Sequence, residues 1–71
     1  MRLIYTKHKD WQGTLNLREL KSAFKVRNLK YELDKIDDDE YEFEFSDKDI
    51  ERVKQAYNVL VNICDLEIRR F

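Results

Sequence analysis

Seventy-one residues, 42% apolar and 41% charged, suffice for one small domain over 1–71, too hydrophobic for a disordered chain and too polar for a membrane protein. The net charge of −1 conceals a sorting along the chain: residues 1–30 carry eight Lys/Arg against two acids, residues 31–49 ten Asp/Glu against two Lys, and residues 50–71 four bases against three acids. One Cys, one Gly and no Pro exclude an internal disulfide, a Gly-rich phosphate loop and a flexible linker, which leaves stability to a core built around nine aromatic rings.

Arg2-Leu-Ile-Tyr-Thr-Lys7 is β-branched and aromatic and reads as a first strand, followed by a polar loop through Gly13. Trp11 in that loop suits a partner-binding anchor, because a large apolar ring in a polar setting invites a partner. His8 has no second His, Cys or Ser at motif spacing and suggests no catalysis. A helix then begins at Asn16, whose side chain caps the amide of Glu19. Leu17, Leu20 and Phe24 form its apolar stripe, Lys21, Lys25 and Arg27 lie off it, and Asn28 suits the position just past its end.

The next segment alternates with period 2. Leu29, Tyr31 and Leu33 alternate with Lys30, Glu32 and Asp34, and Tyr41, Phe43 and Phe45 with Glu40, Glu42 and Glu44. This pattern predicts a hairpin with the rings inward and the acids outward. Its turn lies around Asp37-Asp38-Asp39, and the lack of a Gly favours a loop of about three to five residues over a tight two-residue turn.

Ser46 caps a second helix with Asp47 and Asp49 in its first turn, and Ile50, Val53, Tyr57, Leu60 and Cys64 follow helical spacing. Two endings compete. A break near Asp65 turns 66–71 into a fourth strand and gives βαββαβ, the ferredoxin-like order. A continuous helix to the C-terminus is favoured, because the polar stripe Glu51, Gln55, Asn58, Asn62, Asp65, Arg69 keeps its spacing with no Gly or Pro between. The expected fold is therefore a small α+β domain, βαββα, with a three-stranded largely antiparallel sheet and two helices on one face. The long helix carries a second apolar stripe including Val59, Ile63 and Leu66, which points to self-association as a homodimer.

For function the composition argues mainly by exclusion. No nucleophile motif, metal-ligand spacing or phosphate loop is present, so neither an enzyme nor a cofactor or metal site is expected. A lone Cys without an export signal points to a reducing cytoplasmic setting, and no apolar run is long enough for a membrane. The sign bias of the hairpin is the main positive signal. An ordinary solvated sheet face mixes Lys with Glu. Here Glu32, Asp34, Glu40, Glu42 and Glu44, with the Asp37, Asp38 and Asp39 tip, form a nearly uniform acidic surface suited to a basic protein partner. An inhibitor that imitates nucleic acid is its sharpest form. The competing reading is direct nucleic-acid binding by Arg2, Lys7, Lys9, Arg18, Lys21, Lys25, Arg27 and Lys30, disfavoured by the adjoining acid and the lack of a recognition motif.

Overall fold

A computed structural model describes residues 1–7 and 15–69. Arg2–Thr6 forms β1, Leu17–Val26 α1, Tyr31–Lys35 β2, Glu40–Phe45 β3, Ile50–Leu60 α2 and Asp65–Arg69 β4, with a 3-10 turn over Asp47–Asp49 leading into α2. The four strands make one antiparallel sheet in the order β2-β3-β1-β4. This α+β arrangement is the ferredoxin-like βαββαβ order. Among the described residues no helix is long and apolar enough to cross a membrane.

Local signals set the ends of α1. The Asn16 side chain accepts from the Glu19 amide at 2.8 Å. At the other end Asn28 adopts φ 57°. Its amide donates to the Lys25 carbonyl and the Leu29 amide to the Phe24 carbonyl, both at 3.0 Å, which is a Schellman closure with Asn in place of the usual Gly. Ser46 likewise caps the 3-10 turn through the Lys48 amide.

Both helices cover the same sheet face. Leu20 and Phe24 of α1 and Val53, Ala56 and Leu60 of α2 share one core with Leu3, Tyr5, Leu29, Phe43, Phe45, Cys64 and Leu66. Phe24 stands at its centre. Its ring meets Phe45 at 5.0 Å, Phe43 at 5.1 Å and Tyr31 at 5.9 Å, all edge-on, the geometry that the ring quadrupole favours.

The C-terminal quarter corrects the favoured continuous helix. α2 stops at Leu60, the Ile63 and Cys64 amides both donate to the Leu60 carbonyl, and Asp65–Arg69 pairs along β1 from Thr6↔Asp65 to Arg2↔Arg69. The cause is tertiary. Without β4, the backbone of β1 on that side would lack its ladder partners, and pairing supplies them. The alternation Asp65-Leu-Glu-Ile-Arg69 fits that position, with Leu66 buried and Glu67 exposed.

Phe24→Ala removes about 3–5 kcal/mol, against the roughly 5 kcal/mol at the low end for a small domain. It should abolish cooperative urea unfolding and the near-ultraviolet circular dichroism of the tyrosines, whereas Phe24→Leu, at a cost of about 1–2 kcal/mol, should keep both.

Candidate functional site

Because α1 and α2 cover one sheet face, the alternate residues of each strand fall on the other, open face. These are Glu32 and Asp34 of β2, Glu40, Glu42 and Glu44 of β3, Arg2, Ile4 and Thr6 of β1, and Asp65, Glu67 and Arg69 of β4. The registers arrange them in rows across the sheet. One row runs Glu32, Glu44, Arg2, Arg69; the next runs Asp34, Glu42, Ile4, Glu67; the third contains Glu40, Thr6, Asp65. Rows lie about 6.8 Å apart and strands about 4.8 Å. Among the described strand residues, seven carboxylates therefore share one face with two guanidinium groups.

Two of these contacts work against folding. Glu32 stands directly opposite Glu44, and Asp34 opposite Glu42. Like charges at such positions destabilise a sheet. Arg2 offsets part of the repulsion, with its guanidinium 3.9 Å from Glu42 and 3.7 Å from Glu44. Ile4 is 3% exposed although it lies on the open face and outside the main core cluster.

The hairpin places Glu32, Asp34, Glu40, Glu42 and Glu44 on this one face, while the tip behaves differently. The loop between β2 and β3 spans residues 36–39, within the expected length. The Asp37 carboxylate accepts from the Asp39 and Glu40 amides at 2.8 and 2.9 Å, which closes the turn in the absence of a Gly. Asp38 lies 3.7 Å from Lys35 and is almost fully exposed. Asp37 is thus part of the turn's own bonding, and Asp38 and Asp39 extend the acid beyond the sheet.

Asp65 and Glu67 were missed as members of the site. Their signal is the short alternation of 65–69, which a polar stripe of helical spacing obscures. The seam expected from Val59, Ile63 and Leu66 does not exist as a continuous helical stripe: Val59 is on α2 and exposed, Ile63 lies beyond the helix end, and Leu66 is a buried core residue of β4. Trp11, His8 and Lys9 lie outside the described residues.

The positive charge is elsewhere. Arg18, Lys21, Lys25 and Arg27 are exposed on or just after α1, and Lys30 just before β2. The Arg27 guanidinium donates to the Ala23 carbonyl at 2.9 Å, a helix-end contact. All the strand aromatics, Tyr5, Tyr31, Tyr41, Phe43 and Phe45, belong to the helix-covered side, which leaves the open face of the described strands without a ring on which a base could stack.

The described residues hold one thiol, Cys64, buried and donating to the Leu60 carbonyl at 3.3 Å. Burial, and secondarily the Asp65 charge, pushes its pKa up to about 11. Burial also raises Tyr5, with smaller contributions from Cys64, Tyr41 and Glu19. Compared with protein-family models, with curated proteins and with solved structures, the chain matches none.

The raised thiol fixes a sign for alkaline stability. Between the unfolded thiol's pKa near 9 and the folded value of about 11, the folded protein keeps a proton that the unfolded chain releases, so stability falls as pH rises through this window. Urea unfolding across pH 7 to pH 10.5 should record that fall, and Cys64→Ala should flatten its lower part, leaving the Tyr5 contribution above pH 10. Native Cys64 should stay inert to a disulfide reagent at pH 8 and react once unfolded.

Proposed function

We propose that this protein is a non-enzymatic binding module whose open sheet face docks on the basic surface of a protein partner. The observation that supports this is the retention of seven carboxylates on one face, two cross-strand pairs of them like-charged, where mixed charge would serve the fold better. A basic partner's cations complement this acidic face. Its attraction steers encounter and weakens with salt.

Ile4, flanked in register by Glu42 and Glu67, stands at the centre of this face and is buried. The face measures about 15–20 Å across four strands, on the scale of a small protein–protein contact. Carboxylate rows about 6.8 Å apart are comparable in scale to a row of phosphates, which advance about 3.4 Å along the axis per strand, so a partner that otherwise holds nucleic acid is the sharpest form of the proposal. Direct nucleic-acid binding would have to use α1 and Lys30, since the open face repels phosphate.

The test separates binding from folding. Asp34→Lys with Glu67→Lys replaces two exposed acids on different strands and leaves the Arg2 contacts with Glu42 and Glu44 in place. The double variant should be as stable as the wild type or more so, by several tenths of a kcal/mol, because it relieves the Asp34–Glu42 repulsion. It should also fail to retain the basic protein that the wild type captures from host extract at low salt, and should lose at least tenfold in affinity for that purified partner. Equal affinity of both forms would overturn the proposal.

A further inference from the structure

Among the described residues β2 and β4 are the edge strands of the sheet, and they differ in what a second copy would meet there. An edge strand exposes a row of backbone donors and acceptors that another strand can pair with. Antiparallel self-pairing of β2 about Leu33 would set Glu32 against Asp34 of the other chain twice, four carboxylates in two like-charged pairs. In the register that pairs all five of its residues, that edge repels its own copy.

The β4 edge is self-complementary. In the antiparallel register that pairs all five residues, centred on Glu67, Asp65 faces Arg69 of the second copy, and Arg69 faces its Asp65. Leu66 faces Ile68 in the same way. Glu67 opposite its own copy is the single unfavourable pair. Shifting the centre to Leu66 would instead oppose Asp65 and Glu67 twice. Charge therefore disfavours the Leu66-centred register, and only the Glu67-centred one pairs all five residues. On the helix side, a cleft lined by Met1, Ile50, Lys54 and Ile68 opens beside the strand, and Ile68 is only partly buried. Apolar surface is thus left on the side where the second copy's Leu66 and Ile68 would arrive.

We infer that β4 is a homodimerisation edge, joining two copies through antiparallel β4–β4 pairing centred on Glu67. The twofold axis then stands perpendicular to the sheet. Both open faces point the same way, and eight strands carry one continuous acidic surface. The inference rests on the edge chemistry and holds or fails independently of any partner for that surface.

The test is a charge exchange read by the mass in solution. Wild type at high micromolar concentration should have the mass of two chains. Arg69→Asp sets three acids along the edge and should give a single chain; it faces Arg2 within its own sheet, so it should remain folded by circular dichroism. Asp65→Arg combined with Arg69→Asp restores opposite charges across this register and should recover the dimer. A single-chain wild type, a dimeric Arg69→Asp variant or a single-chain double variant would each overturn the inference. Should the variants unfold, amide exchange of the wild type decides. Leu66 and Ile68 amides should gain protection with rising protein concentration while those of β2 do not, and concentration-independent exchange at β4 would overturn it.

Discussion

The packing of Phe24 against Phe43, Phe45 and Tyr31 is the contact on which the rest of the structure depends. It brings one helix and two strands together through a single ring, with centroids 5.0–5.9 Å apart. Once Tyr31, Phe43 and Phe45 turn toward Phe24, period 2 leaves Glu32, Glu42 and Glu44 no other place than the opposite face. The acidic surface is in this sense a product of the aromatic core. A slip of one residue in β3 would bury its carboxylates and expose its rings, so the core fixes the register and the register fixes the charge pattern.

Much of this is legible in the residues themselves. Asn16, Asn28 and Ser46 end or begin their elements as their side-chain chemistry dictates, and the alternation of 31–45 gives the hairpin and its two faces. The end of α2 is different. Glu51, Gln55, Asn58, Asn62, Asp65 and Arg69 satisfy helical spacing, and no Gly or Pro marks a stop. What ends the helix is the open side of β1, a tertiary demand with no local trace beyond five alternating residues. The same gap hid Asp65 and Glu67 from the site and assigned Leu66 to a surface seam rather than the core. Asp37 was legible as acid but not as the side chain that closes the turn.

Charge is distributed to match these two sides. Arg18, Lys21, Lys25, Arg27 and Lys30 cluster on and around α1, whereas among the described residues of the open strand face Arg2 and Arg69 stand with seven acids. Arg2 sits beside Glu42 and Glu44 and occupies part of the position that a partner's cation would take. Of the remaining carboxylates, Glu32 and Asp34 stand opposite Glu44 and Glu42, while Glu40, Asp65 and Glu67 adjoin Thr6 or Ile4. A face arranged this way trades folding stability for a strong, salt-sensitive field.

The most direct measurement of that trade is the urea unfolding free energy of the wild type at low and at high sodium chloride, near neutral pH. Screening weakens exposed like-charge repulsion, so the account predicts that stability rises with salt, and that it rises less in a variant carrying Asp34→Lys. A wild type that loses stability with salt, or whose salt response Asp34→Lys leaves unchanged, would contradict the claim that the open face holds its acid against the interest of the fold.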